Sequence, residues 1–294
     1  MPLDPEVVAH LERQKDQPPR SALDIAGTRA MMRRAAVLAG AAPPLARIED
    51  IALPGSLQAR QYWPVVAALP VLVYFHGGRF FSGDLESHDT VCRRLAVAAS
   101  CRVLAVDYRL APEHPFPAAV EDAHTAVAWA LREGVPAGVA GDSAGANLAA
   151  GVALEQREAL RCQLLIYPML DPTCSSSSFV EFGEGFGPGA ADMQRGWSEY
   201  LGKGTATPGA LASPLLAESA AGAPPAFLLT AEYDPLRDEG EAYARKLIQS
   251  GNLVQVRRYR GMIHGFFTMQ GVLQVAREAL HDAAAFLRHS LNET

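Results

Sequence analysis

Gly141-Asp142-Ser143-Ala144-Gly145 is the stretch on which the reading of this chain turns. It follows the short apolar run Ala137 to Ala140 and leads into a helical pattern from Ala146 to Arg157, so G-x-S-x-G stands in a strand-turn-helix context. A serine lifted on so sharp a turn presses the residues two before and two after it against each other, which predicts that both must be glycine. The helix behind the turn aims free N–H groups and the positive end of its dipole at the serine, favouring negative charge there. The competing reading is a glycine-rich turn that happens to contain a serine, and the strand and helix on either side argue against it.

Outward from this turn, short runs rich in β-formers recur at Val71 to Phe75, Arg102 to Val106, Gln163 to Tyr167, Ala226 to Thr230 and Leu253 to Tyr259. Most are continuously apolar, as strands buried on both faces of a parallel sheet must be. Helical patterns lie between them at His88 to Ala99, Ala118 to Arg132, Ala144 to Arg157, Asp238 to Gln249 and Gly271 to Arg288. This alternation predicts an α/β fold with a wound, mostly parallel sheet and right-handed crossovers. Residues 1–45 and 171–212 break it. The first reads as helical, and the second carries Ser175 to Ser178, many glycines and a helical patch from Met193 to Tyr200. Both are expected to form a mobile cap over one end of a catalytic unit built from residues 46–170 and 213–294, because long insertions without strands are usually functional or disordered.

The 294 residues carry 26 Lys+Arg and 32 Asp+Glu, a net charge of −6, which excludes a basic footprint for nucleic acid or an anionic membrane. With 49% hydrophobic residues the composition is that of a globular chain and not of a disordered one. Residues 1–30 hold five acidic side chains and no long apolar run, so no secretory signal is expected, and no apolar stretch is long enough to span a bilayer. Cys92, Cys101, Cys162 and Cys174 show no metal or disulfide spacing and are read as reduced thiols in a cytoplasm.

A nucleophilic serine needs a base, and on folds that display it this way an acid and then a histidine follow in sequence. Asp234 ends an apolar run, and His264 lies in a loop beyond the last strand candidate. Asp234-Pro235 is also a good helix start, so its carboxylate has a bland alternative role. Position and order favour Asp234 over Glu232 and Asp238. His76-Gly77-Gly78-Arg79-Phe80 follows the strand candidate Val71 to Phe75, and backbone N–H groups of the consecutive glycines Gly77 and Gly78, with that of Ala144, are the expected oxyanion donors. His76 is read as a brace for this loop. Phe80, Asp142, Phe186, Met193, Trp197 and Ile263 are candidate pocket residues, although aromatic and Met side chains at helical spacing are more often core.

HGGRF at 76–80, DYRLAPEHPFPAA at 107–119, GDSAGANLA at 141–149, YPMLD at 167–171, DPLRDEG at 234–240 and HGF at 264–266 together resemble the hormone-sensitive-lipase-like esterases of the α/β-hydrolase fold, in the bacterial branch that carries GDSAG. The resemblance spans about 190 residues in the family's order. It implies an eight-stranded, mostly parallel sheet, a helical cap built from the N-terminus and the insertion after YPMLD, and a triad of Ser143, Asp234 and His264. It also implies cis bonds at Ala111-Pro112 and Phe116-Pro117, hydrolysis of short-to-medium acyl esters without metal or cofactor, and a homodimer by analogy. The same fold serves amidases, carbamate hydrolases and acetyl-sugar deacetylases. It also serves receptors that have lost turnover along with the histidine, whereas His264 is present here. One departure is plain: the family's third glycine is Arg79, and because the family's second and third glycines donate to the oxyanion, the resemblance implies that Gly78 and the backbone of Arg79 inherit that role. Its guanidinium is expected either to line the cleft mouth and favour acidic substrates, or to pair with Asp84 or Glu86.

Overall fold

The computed structural model describes residues 2–17, 20–203 and 209–292. Residues 1, 18–19 and 204–208 of the two expected cap segments, and the last two residues of the chain, lie outside that description. Eight strands form one sheet: β1 (Arg47–Ala52), β2 (Gln58–Trp63), β3 (Val71–Phe75), β4 (Arg102–Val106), β5 (Ala137–Asp142), β6 (Cys162–Ile166), β7 (Ala226–Tyr233) and β8 (Val254–Ile263). Their order is β1-β2-β4-β3-β5-β6-β7-β8, antiparallel where β2 meets β1 and β4 and parallel from β4 to β8.

Alternation along the buried strands divides the core in two. Val71, Val73 and Phe75 of β3 join one apolar cluster, whereas Leu72 and Tyr74 join the other. The first cluster is completed by the helices α4 (Ala118–Leu131), α5 (Ala144–Glu155) and α8 (Arg237–Gln249). The second packs on α3 (Leu85–Ala99) and α9 (Gln274–Asn292). The result is a helix-sheet-helix sandwich in which each crossover helix buries its apolar stripe on one face of the sheet. Asp84 starts α3 by accepting the Ser87 N–H at 2.7 Å while Ser87 Oγ accepts the Asp84 N–H at 2.9 Å, a reciprocal cap.

The sequence reading missed β1 and β2. In Arg47-Ile-Glu-Asp-Ile-Ala52 every position is exposed or half-buried, and Gln58-Ala-Arg-Gln-Tyr-Trp63 mixes exposed and buried ones, because β1 forms the edge of the sheet and β2 lies next to it. Those patterns lack the apolar continuity that marks the central strands. β7 and β8 run further than their apolar cores, to Tyr233 and Ile263, which carries the chain to the carboxyl edge just before Asp234 and His264. Ala111-Pro112 and Phe116-Pro117 are both cis.

Residues before β1 form α1 (Pro5–Gln14) and α2 (Ile25–Ala35), and the segment after β6 forms α6 (Ser177–Glu181) and α7 (Ala190–Leu201). The two segments meet: Arg195 Nη1 donates to Leu23 O at 2.6 Å. Arg29 of α2 reaches into the body, donating to Phe81 O at 2.9 Å and Ala111 O at 3.1 Å and pairing with Glu113. Among the described residues no helix is long and apolar enough to cross a membrane.

Glycine is required at Gly145, where a Cβ would collide with the carbonyls of Phe75 and His76, whereas at Gly151, in the middle of α5, it would meet only Pro214 Cγ at 3.8 Å. Gly151→Ala is therefore expected to raise stability by about 0.5–1 kcal/mol through helix propensity. Gly145→Ala is expected to cost several times that, roughly 3 kcal/mol or more, by forcing β3 from β5. Denaturant titration of both variants checks the contrast, and equal effects of one sign would contradict it.

Candidate active site

Ser143 caps the end of β5 at φ 55° and ψ −117°, a conformation that costs a non-glycine residue of the order of 1–3 kcal/mol. The surroundings leave it no alternative. Its N–H donates to Ile166 O at 2.9 Å, and its carbonyl accepts from Ala146 N–H at 3.1 Å and Met169 N–H at 3.1 Å. The crowding that demands the flanking glycines has two sources. A Cβ on Gly141 would strike Gly145, as the sequence suggested; a Cβ on Gly145 would strike the end of β3, a neighbour sequence spacing does not reveal.

The structure brings Ser143, His264 and Asp234 together although 121 and 30 residues separate the successive contacts. His264 Nε2 lies 3.1 Å from Ser143 Oγ, and His264 Nδ1 lies 2.8 Å from Asp234 Oδ2. That arrangement suits an imidazole whose Nδ1–H donates to the carboxylate while Nε2 accepts from the serine hydroxyl. Asp234 is fully buried, and Ser143 and His264 are only 4% and 6% exposed. The helix-start role weighed for Asp234 is also present: its Oδ1 accepts the Leu236 N–H at 2.8 Å. One carboxylate thus does both jobs, and the backbone bond fixes the oxygen that faces His264. Of the rival acids, Glu232 accepts from Gly261 N–H at 2.8 Å and Asp238 from Ser178 N–H at 2.8 Å, so neither faces the imidazole. Tyr167 packs its ring 4.7 Å from that of His264, a contact the sequence did not flag.

The loop after β3 runs beside Ser143 because β3 and β5 are neighbours, pairing Phe75 with Gly141. Gly78, Arg79 and Phe80 all take positive φ. A Cβ on Gly78 would collide with Ser82 O. Among the described residues the N–H groups of Gly78, Arg79 and Ala144 make no backbone hydrogen bond, which leaves them available to an anion. Gly77 must be withdrawn from the expected donors. Its N–H is already given to Asp142 Oδ1 at 2.8 Å, and a Cβ there would collide with that carboxylate. Asp142 also accepts from Tyr74 Oη at 2.7 Å and has His88 Nε2 at 3.3 Å. Burial works to raise its carboxyl, but His88, Tyr74 and the Gly77 N–H outweigh it and hold the group below the usual range. His76 stacks on Tyr108 with ring centres 4.3 Å apart and touches no triad residue in hydrogen-bonding distance, consistent with a brace. Burial, and after it His88, draw its imidazole down to about 4.

A cleft of about 1170 Å³ opens over Ser143 and His264, walled on one side by α1, α2, Gln17, Arg20 and Leu23 and on the other by residues 183–193. Asp142, Met193 and Ile263 line it. Phe80, Phe186 and Trp197 do not. Phe80 stacks on Tyr200 at 3.8 Å with Trp197 at 5.6 Å, and Phe186 stacks on Tyr233 at 5.2 Å, so all three are packing residues. Arg79 is 5% exposed and pairs with neither expected acid: Asp84 is held by Arg33 and Glu86 by Arg60. Its Nη1 lies 3.0 Å from Asp192 Oδ1 on α7. Arg79 thus lines the cleft, but its guanidinium is a paired and not a free cation there. Asp192 carried no signal in the sequence, since the contact spans 113 residues. Among the described residues no group of three or more His, Cys, Asp or Glu side chains is arranged to hold a metal ion.

A profile of the alpha/beta hydrolase fold matches residues 72–268. The chain is 40% identical over 269 residues to the carboxylic ester hydrolase LipN of Mycobacterium tuberculosis, covering 84% of this chain and 71% of that one. It is 37% identical over 265 residues to the ethyl acetate hydrolase of Pseudomonas putida, covering 83% of each. A solved hyperthermophilic esterase from the archaeon Pyrobaculum calidifontis superposes with a TM-score of 0.92 at 39% identity, over 98% of this chain and 99% of that one.

His76 gives a pH prediction. In the unfolded chain it titrates at 6.5, in the folded protein at about 4, so the unfolded chain takes up the proton first. Its stabilising contribution is complete above pH 6.5 and is lost as the pH falls toward 4, by up to about 1.4 kcal/mol per pH unit. Urea titrations between pH 7 and 4.5 should show a shallower loss of stability in His76→Asn than in the parent. Parallel curves would refute the assignment.

Proposed function

The chain belongs to the α/β-hydrolase family whose profile it matches, and from that premise we propose that it is a serine carboxylesterase acting through Ser143, His264 and Asp234. The single observation that carries this is the buried relay from Ser143 Oγ to His264 to Asp234, with its two contacts at 3.1 and 2.8 Å. Ser143 Oγ attacks the ester carbonyl as His264 Nε2 takes its proton, giving a tetrahedral oxyanion held by the N–H groups of Gly78, Arg79 and Ala144. His264 then returns the proton to the leaving alcohol, and the acyl group remains on Ser143. Water, deprotonated by His264, attacks that acyl-enzyme, and the acid leaves as the proton goes back to Ser143. Asp234 holds the imidazole in the required tautomer and stabilises it when charged. Each step is a proton or acyl transfer between these groups and water.

Short-to-medium acyl esters are the proposed substrates. Methionine and aliphatic side chains such as Met31, Leu38, Met193 and Ile263 line the cleft, and a relative named for ethyl acetate hydrolysis supports the short end of that range. Residues 1–45 and 171–212 are proposed as the cap over a catalytic unit of residues 46–170 and 213–294, supported by the cleft walls that both segments supply. A reducing, cytoplasmic setting suits the four unpaired cysteines, whose thiols burial pushes up. A homodimer through the sheet edge is supported by the exposed Leu253 and Val256 at β8.

Mixing the protein with p-nitrophenyl acetate should give turnover with a stoichiometric burst of p-nitrophenol when deacylation is slower than acylation. Ser143→Ala is expected to lower kcat by a factor on the order of 10⁶, and Asp234→Asn by on the order of 10⁴, with circular dichroism unchanged. Ester hydrolysis that survives Ser143→Ala would overturn the proposal.

A further inference from the structure

Arg79 occupies a backbone conformation, φ 58°, that a glycine adopts freely and a branched or long side chain rarely does. It sits between two other residues at positive φ, Gly78 at 133° and Phe80 at 63°, so the loop has no slack on either side. The turn that carries it is closed by the Phe81 and Ser82 N–H groups, which donate to Gly78 O at 3.3 and 3.0 Å, and the Arg79 side chain is gripped from outside that turn. The Arg79 guanidinium meets Asp192 Oδ1 at 3.0 Å and lies over the Phe81 ring with its carbon 5.0 Å from the centroid. Asp192 is itself fixed, because its Oδ2 accepts the Gly189 N–H at 3.1 Å at the start of α7. One turn further along α7, Gly196 passes so close that a Cβ there would come 2.7 Å from Arg79 Cβ. Asp192 and Gly196 are four apart and share one face of the helix, so a single face of α7 grips Arg79 both electrostatically and sterically. Arg195 of the same helix places its guanidinium 5.3 Å from the Phe81 ring centroid and donates to Leu23 O, which draws the chain between α1 and α2 into the cluster.

We propose that Arg79 is a positioning residue that makes the oxyanion hole depend on the seating of α7. Asp192 and Gly196 hold Arg79 in the left-handed conformation that leaves its backbone N–H free for the oxyanion, and when α7 lifts, the residue relaxes and that donor is lost. The hole is then complete only beneath a closed cap, and turnover is confined to substrate already enclosed. The inference rests on reading this loop as the oxyanion hole of a serine esterase. A glycine at the same place would form the hole without help from α7, so the arginine exchanges a permanent hole for a conditional one.

The test is a double-substitution cycle in the full chain with p-nitrophenyl acetate. Asp192→Asn keeps an oxygen for the Gly189 N–H but removes the charge that holds Arg79. It should lower kcat about tenfold or more, with KM within about twofold, because the lost donor acts in the transition state. In the Arg79→Gly background the same Asp192→Asn change should alter kcat less than about twofold, since glycine takes positive φ unaided. Gly196→Ala supplies an independent second variant: its methyl crowds Arg79 and should lower kcat with Arg79 present but not in the Arg79→Gly background. Damage to α7 or to folding would persist in both backgrounds, and thermal melts identify it. Equal losses in the two backgrounds, with activity still abolished by Ser143→Ala, would overturn the latch and leave the esterase reading standing. Absence of any Ser143-dependent turnover would overturn both.

Discussion

Ser143 is held at φ 55° and ψ −117°, and almost everything else in the active site follows from how that strained turn is kept in place. Its N–H is tied to the end of β6 through Ile166 O, and the backbone of Gly145 presses against the end of β3 at Phe75 O. Both constraints exist only because β3, β5 and β6 are adjacent in a parallel sheet and end at the same edge. The same edge delivers the other parts. The loop of Gly78 and Arg79 leaves β3, Asp234 follows β7 and His264 follows β8, so with the Ser143 turn four chain segments converge where parallel strands present their carboxyl ends. The hydrophobic core on both faces of the sheet supplies the energy that keeps the turn from relaxing.

Polar side chains refine what the sheet positions. Asp142, next to Ser143, accepts from Gly77 N–H and Tyr74 Oη and so clamps the start of the loop after β3 onto the end of β5. That use of the Gly77 N–H moves the available donors one step along the loop, to Gly78 and Arg79. Tyr108 adds a second clamp by donating to His76 O at 2.7 Å. The loop is thus anchored to the sheet at its beginning, while at Arg79 it is anchored to α7 through Asp192. Tied to the sheet at one end and to α7 at the other, this loop borders the cleft over Ser143.

The central sheet and the three side chains that the structure brings together were legible in the sequence for identifiable reasons. β3 to β7 are short apolar runs buried on both faces, and Ser143 sits in a turn whose steric demands force glycine on both sides. Asp234 and His264 were legible through order and through standing just past strand ends. β1 and β2 were not, because strands at an antiparallel edge carry Arg, Glu, Asp and Gln on their exposed positions. The aromatic candidates Phe80, Phe186 and Trp197 failed because a large ring in a sequence does not say whether it faces a cavity or another ring. The partner of Arg79 was out of reach altogether: Asp84 and Glu86 are near in sequence, whereas Asp192 is 113 residues away and only the packing of α7 brings it close.

Central to the proposed function is that the strained turn presents Ser143 as the one acylated nucleophile. Reaction of the intact protein with a p-nitrophenyl alkylphosphonate, followed by intact-mass measurement and peptide mapping, addresses it directly. A single adduct per chain is expected, carried by the peptide that contains Ser143, with loss of esterase activity in proportion to its formation. An adduct on another residue that tracks the loss of activity, or full activity in protein whose Ser143 is modified, would contradict it.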